Sequence, residues 1–397
     1  GVLGRVTLGQ VALDTPISQV MVSPVHCLDV AHSAQDAALL MSRWALRHVP
    51  ITREGRLVGI VSERDIFAMQ RMSLRQVGSA IRAAPDLATL RLVAQDIRRF
   101  AATLLAQGVQ AQQLTALISH LNDVLTLRLL EMLAHEHGVD LQRLCWLALG
   151  SEGRSEQTIA TDQDNAIVLA NGMQDAEREQ VLLFAHAVNN ALDTFGYPLC
   201  KGGVMASNPQ LCITLAQWQQ RFAHWMEQGA PEDLLNASIY FDFRALAGNE
   251  SLAQTLREQV TQAARGLPRF HKQLALNALT HTPPLTWVGN LDTTPVDGQD
   301  TLDLKLQGTA IFVDAARVYA LAQGVGATST RERLQTVGQR MGLASNEYKT
   351  WLGAFEFLQM LRLRIQLDAS NTAASEHPNR INVATLNDID RRILKES

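Results

Sequence analysis

Residues 147–169, LALGSEGRSEQTIATDQDNAIVL, decide how this chain is read. The stretch begins apolar, breaks at Gly150-Ser151-Glu152-Gly153, crosses a hydroxyl-rich polar segment and returns to an apolar, strand-like run carrying Asp162 and Asp164. Side chains two apart in a strand share a face, so a D-x-D at a strand mouth sets two carboxylates side by side. That arrangement is repulsive unless a cation lies between them, which makes both aspartates candidate metal ligands. Upstream, Gly150 and Ser151 can bring backbone N–H groups and a hydroxyl close to an anion. Thr161 reads as a turn or cap residue and Asn165 as the end of the turn. Metal plus phosphate is the chemistry the stretch points to.

The whole chain sets bounds on that chemistry. Its 397 residues exceed a typical single core, so two to four domains are expected. With 47% apolar and 19% charged residues and a formal charge of -4, the composition is that of a soluble protein and argues against a general nucleic-acid binder. Cys27, Cys145, Cys200 and Cys212 form no zinc or disulfide framework, so a reducing, cytoplasmic setting is expected. No apolar run approaches the roughly 20 residues of a membrane span. The opening GVLGRVTLGQV is already strand-like and lacks an initiating methionine, so the chain is read as a fragment of something longer.

Towards the N-terminus, residues 1–14 read as a short strand and a weak helical turn. An extended segment follows, then a helix over about 33–45, a strand at 48–52, a turn at Glu54-Gly55, a strand at 57–62 and a further helix. Ser33 with Asp36 is a capping box carrying Asp in the usual Glu place. MVSP, HVPITREGRLVGIVSERDI and the S-x-x-D of Ser62 and Asp65 together resemble a CBS (cystathionine beta-synthase type) domain. The resemblance implies adenine-nucleotide binding, with Ser62 and Asp65 on phosphate and ribose and backbone near 49–51 around the base. Residues 1–8 look like the end of a preceding copy in which Gly4 and Thr7 stand where the hydroxyl and acid belong. That half-site is degenerate, so ligand binding is either lost or completed by a second chain.

Residues 74–137 carry apolar residues at helical spacing, with Gly108 and Gly138 as stops. His135 and His137 fall on different helix faces and make a poor ligand pair. Beyond the opening stretch come a helix over about 175–195, a Lys201-Gly202-Gly203 turn, and Trp218, Phe222 and Trp225 at core-like helical spacing. NASIYFDFRA at 236–245 reads as a strand. Its Asp242 is expensive to bury unless bound to metal or paired, with Arg244 as the near partner. The remainder is mostly helical, with a Pro/Gly/Asp-rich break at 283–300, a short hairpin at 302–312 and a polar loop at 371–382.

G-S-x-G-R-x-E, D-x-D eleven positions after Ser151, and an isolated Asp242 resemble the nucleotidyltransferase fold. The likeness is to the protein-PII uridylyltransferase type and to nucleotidyltransferases that sit beside CBS domains. It extends through TDQDNAIVL, CKGGVMASNP, YFDFRALAG, LDLKLQGTAIFVDAARVYAL and TRERL, from about residue 15 to about 368. It implies a multidomain α+β chain: a CBS-type α/β module at 1–72, a helical linker at 73–139, a polymerase beta-like nucleotidyltransferase with mixed sheet and helices at 140–250, and a C-terminal helical substrate-binding-like domain at 251–397.

It further implies Mg²⁺ or Mn²⁺ held by Asp162, Asp164 and Asp242, with Asp242 on the metal nearer the nucleophile as the candidate base. An NTP would be held at Gly150 and Ser151, with Lys201 beside it. Arg154 either steadies the triphosphate or pairs with Glu156, and Lys305 and Arg317 either meet substrate or make ordinary salt bridges. The acceptor would be a protein or a small hydroxyl compound, and the chain a homodimer through its CBS or helical regions. The alternative is a non-catalytic nucleotide-sensing scaffold with a degenerate centre.

Overall fold

The computed structural model describes residues 12, 14–21, 23–44, 46–229, 238–296, 298–371 and 377–397. The expected strand end with Gly4 and Thr7 lies outside them. Two bodies divide at Gln76/Val77, and each is described by itself.

The first has the expected CBS-type α/β order: α1 (Ile17–Val20), β1 (Leu28–Asp29), α2 (Ala34–Trp44), β2 (His48–Arg53), β3 (Arg56–Ser62) and α3 (Glu63–Ala83), which runs past the division. β1 pairs with β2 in parallel and β2 with β3 antiparallel. Glu54 and Gly55 both have positive φ, at 50° and 75°, the backbone that a tight two-residue hairpin requires. Ser33 and Asp36 form the expected capping box: Ser33 N donates to Asp36 Oδ2 at 2.8 Å and Asp36 N to Ser33 Oγ at 3.2 Å. Ala37, Met41 and Val49 make the small core.

The second body begins with helices α4 (Leu87–Ala106) and α5 (Ala111–His137). Asp86 caps the first by accepting from Thr89 N, and Gly138 at φ 63° ends the second. A mixed four-stranded sheet follows, of β4 (Leu144–Ala148), β5 (Asn165–Leu169), β6 (Cys212–Thr214) and β7 (Arg244–Gly248), in the order β6-β5-β4-β7. Around it lie α6 (Gly150–Gly153), α7 (Asp175–Thr194), α8 (Leu215–Glu227) and α9 (Glu250–Ala264).

Every residue of β4 and β5 is buried, as expected of strands covered on both faces. Cys145, Leu147 and Val168 pack with Trp218 and Phe222 of α8 and Val260 of α9, while Trp146 meets Phe184 of α7 edge-on. Trp218 and Phe222 are thus core, as their spacing predicts, and the Trp218 indole donates to Ile167 O.

The C-terminal region is helical: α10 (Pro268–Ala278), α11 (Ala310–Ala322), α12 (Thr330–Arg340), α13 (Ser345–Asn371) and α14 (Asp388–Glu396). Its small antiparallel sheet joins β8 (Thr294–Val296), β9 (Gln299–Asp303) and β10 (Arg380–Asn382). The hairpin expected at 302–312 lies earlier, at 294–303. Asp303 Oδ1 accepts from the backbone N–H of Lys305 and Leu306, turning the chain into a π-helix, Lys305–Thr309. Within the expected polar loop, β10 forms because Ile381, its one apolar residue, is buried against β9. Among the described residues no helix is long and apolar enough to cross a membrane.

Candidate functional site

Gly150 follows β4 with φ 53°, and a Cβ there would lie 2.8 Å from Asp164 Oδ2. Only glycine lets this backbone approach the carboxylate so closely. At Gly153 a Cβ would fall 1.8 Å from the carbonyl oxygen of Asp242 and 2.8 Å from that of Ala148. The G-S-x-G spacing therefore does two jobs. One glycine admits the acid, and the other seats α6 on the backbone of Asp242.

Asp162 and Asp164 lie on the loop just before β5, and a buried amide network fixes that loop. Gln163 points inward, donating to the carbonyls of Asn189 and Tyr197 at 3.0 and 2.8 Å. Asn189 in turn donates to the side-chain oxygens of Gln163 and Asn165. Asn165 accepts from Ala206 N at 2.8 Å, so it pins the loop as well as ending the turn. Carboxylate oxygens of Asp162 and Asp164 and Sγ of Cys200 all lie within 4.8 Å of one another.

Burial, and then the charge of Asp162, pushes the Asp164 carboxyl up to about 7. A divalent cation relieves that conflict, so these residues fit the metal implied by the sequence. Mg²⁺ takes oxygen ligands, which the two carboxylates supply. Burial raises the Cys200 thiol, keeping it protonated and a poor ligand for a hard ion.

At Asp242 the structure departs from the sequence expectation. The residue sits at the end of a 3-10 turn, Ser238–Asp242, before β7 begins. It is fully buried. Oδ1 accepts from Arg317 Nε (3.1 Å) and Arg333 Nη1 (2.6 Å), and Oδ2 from Arg154 Nη1 (2.7 Å) and Arg317 Nη2 (2.6 Å). Burial alone would raise its pKa, but Arg317, Arg333 and Arg154 together hold the carboxyl far below the usual carboxylate range. Both its oxygens are taken by guanidinium groups, and Asp242 lies outside the cluster of Asp162, Asp164 and Cys200. Its partners are also not the expected one, because Arg244 donates instead to Asp123 Oδ1 and to the carbonyl of Glu152.

The other expectations sort around this knot. Arg154 pairs with Glu156 as well as Asp242. The carboxylate of Glu156 also accepts from the N–H and hydroxyl of Thr330, at the start of α12. Arg317 is bound to Asp242 and Asp314. Lys201 is exposed and does not line the cavity beside the D-x-D. Ser62 and Asp65 hold each other as a second capping box, Ser62 Oγ donating to Asp65 Oδ2 at 2.6 Å.

That cavity, of about 180 Å³, is lined by Gly150, Ser151, Arg154, Asp162, Asp164, His281, Lys305, Asp314 and Arg362 among others. Lys305 makes no ion pair among the described residues. Arg362 is 8% exposed and, among the described residues, donates to the neutral oxygens of Asn379, Thr309 and Gln359, and burial pulls its pKa down to about 10. The sequence reading missed Arg362. Its signal was a cation between Leu361 and Leu363, both of which are buried.

Behind the loop, Glu152 is 7% exposed. Burial, then repulsion from Asp123, pushes its carboxyl up to about 8, against Arg244. Its folded value lies above the ordinary 4.5, so the protonated form favours the fold. That contribution is full below about 4.5 and is lost as pH rises through about 8. Urea unfolding across pH 5–9 is expected to show wild type losing stability, on the order of a few kcal/mol, relative to a flatter Glu152→Gln profile.

Comparison with known families finds three matches along the chain. Residues 17–70 match the CBS domain, residues 95–232 the family described as "Putative nucleotidyltransferase DUF294", and residues 268–397 the "Putative nucleotidyltransferase substrate binding domain". No curated protein matches the chain. The chain is a CBS-domain-containing protein that carries both of these nucleotidyltransferase-type domains.

Proposed function

We propose that the second body transfers a nucleoside monophosphate from an NTP, with Mg²⁺ or Mn²⁺, to a hydroxyl of a protein or small-molecule acceptor. One observation carries the reading: a single cavity is lined by two acids, Asp162 and Asp164, and two cations, Lys305 and Arg362, none of which makes an ion pair among the described residues. Arg154 and Arg317 are matched by Glu156, Asp242 and Asp314, which leaves Asp162 and Asp164 facing a cavity shared with Lys305 and Arg362. Asp164 and Arg362 are buried, and burying a charge without an ion-pair partner is costly for either sign. A divalent ion and a polyphosphate together match both sets.

Divalent ions at Asp162 and Asp164 would neutralise the charge that builds on the triphosphate during in-line attack. The chain's own groups supply the rest. Lys305 and Arg362 balance phosphate charge, Gly150 and Ser151 present the turn against which the phosphates lie, and the amide network keeps the acids in place. Being smaller than the roughly 300–1,000 Å³ of a pocket for a whole ligand, the cavity suits the phosphates and ions, with the nucleoside beyond them. The CBS-type module would add adenine-nucleotide control, and its exposed Leu57, Val58 and Ile60 support pairing with a second copy.

One observation favours a non-catalytic scaffold: the third carboxylate expected of a two-metal centre is consumed by three arginines. Isothermal titration tests the metal-dependent triphosphate site that the transfer reading requires, and turnover then separates it from the scaffold. Nucleoside triphosphate is expected to bind only when Mg²⁺ or Mn²⁺ is present, and no uptake of any of the four triphosphates with either ion overturns the proposal.

A further inference from the structure

With Asp242 held by arginines, the transfer reading lacks a group to accept the proton of the attacking hydroxyl. We propose that His281, oriented by Asp314, is that general base. The inference rests on the transfer reading and names a residue that neither the sequence motifs nor the domain matches assign.

His281 and Asp314 both line the cavity that holds Asp162 and Asp164. Nδ1 of His281 lies 2.9 Å from Asp314 Oδ2. The other oxygen of Asp314 accepts from Arg317 Nη1 at 2.6 Å, and Arg317 is anchored on Asp242. A chain of charged groups thus runs from the buried knot to the cavity wall and fixes the ring.

An ionised carboxylate on Nδ1 holds the proton there and leaves the lone pair on Nε2. Among the described residues Nε2 has no hydrogen-bond partner. The rival bases are occupied: both oxygens of Glu156 are taken by Thr330 and Arg154, and those of Asp314 by Arg317 and the histidine itself. The backbone is fixed too, since His281 N donates to Ala278 O just beyond α10. With its side chain 29% exposed, the ring can be reached by an acceptor.

The step balances without a further reactant. The acceptor O–H gives its proton to Nε2, and its oxygen forms a bond to the α-phosphorus. The bond from that phosphorus to the bridging oxygen breaks, and pyrophosphate leaves with the electron pair. The imidazolium so formed sits against the Asp314 carboxylate, which stabilises it.

The test uses the full chain with Mg²⁺ and each of the four triphosphates. Water stands in as acceptor, and cleavage to nucleoside monophosphate and pyrophosphate is followed by ³¹P NMR. His281→Ala is expected to lower kcat by about 10²–10⁴-fold, with KM for the triphosphate within about twofold of wild type and part of the rate restored by added imidazole. Asp314→Asn should lower kcat as well. In the unliganded wild type, ¹⁵N shifts of the His281 ring should place the proton on Nδ1 and leave Nε2 bare.

Wild-type turnover in His281→Ala, a proton on Nε2 in place of Nδ1, or a loss shared by kcat and binding that imidazole does not restore overturns the base. Failure of the transfer reading looks different: the wild type takes up no triphosphate with either ion, or binds it and cleaves none.

Discussion

Asp242→Asn is expected to destabilise the second body by about 3–5 kcal/mol, the cost of leaving buried cations without their counter-charge. Arg333 is the reason the figure is high. It is 1% exposed, and among the described residues its one other hydrogen bond is to the carbonyl of Ala327. Arg154 keeps Glu156 and Arg317 keeps Asp314, so the loss concentrates on one guanidinium. The amide of the variant can accept but also turns N–H groups towards the arginines. Pairing the change with Arg333→Met should recover part of the loss, because a buried ion pair can be replaced more cheaply than broken. Urea unfolding of the two single variants and the double variant measures this. An Asp242→Asn protein of wild-type stability that has lost divalent-ion binding would restore Asp242 to the metal site. Because the Asp242 pKa is depressed, its contribution is full above 3.8 and is lost only as acid drives the pH down through the folded value.

The acids at the cavity should behave in the opposite sense. Asp164→Asn removes a buried charge already pressed by its neighbour, so the ion-free protein gains stability and melts higher. Mg²⁺-dependent triphosphate binding and turnover should instead fall by about 10²–10³-fold, corresponding to roughly 3–4 kcal/mol of lost charge stabilisation. Asp162→Asn should lose a similar factor. A melting temperature that rises while binding falls marks a group kept for its chemistry at the expense of the fold. Thermal melts with and without Mg²⁺, read beside titration of the triphosphate, give both signs in one experiment. Binding unchanged in both variants removes the D-x-D from the site.

How far the sequence revealed this follows from where each partner lies in the chain. Local signals were legible: the capping box at Ser33, the turn at Glu54-Gly55, the stop at Gly138 and the core spacing of Trp218 and Phe222 each involve near neighbours. Asp162 and Asp164 were legible for the same reason, since two residues two apart on a strand mouth carry their repulsion in the sequence. The loop's support was half visible. Gln163 alternates with the acids, and that alternation is what turns it inward while they face the cavity. The arginines on Asp242 were not legible because they come from far along the chain, and the nearby Arg244 offered a plausible but wrong pair. TRERL was recognised as part of the family pattern, yet nothing local shows that Arg333 and Thr330 reach Asp242 and Glu156. His281 has no local signal at all, being a lone histidine before a Pro-Pro pair until the fold sets Asp314 against it.

The knot at Asp242 also bears on inheritance. The two matched segments, 95–232 and 268–397, look like exchangeable modules along the sequence. The acid lies between them, one of its arginines, Arg154, belongs to the first, and Arg317 and Arg333 belong to the second. Recombination that gave the first segment a foreign second half lacking both arginines would leave the buried Asp242 with Arg154 alone, and a second half on its own would keep Arg317 on Asp314 but carry Arg333 with no acid to meet. Asp242 and Arg333 therefore tie the two segments to one another, whatever substrate the lineage comes to use.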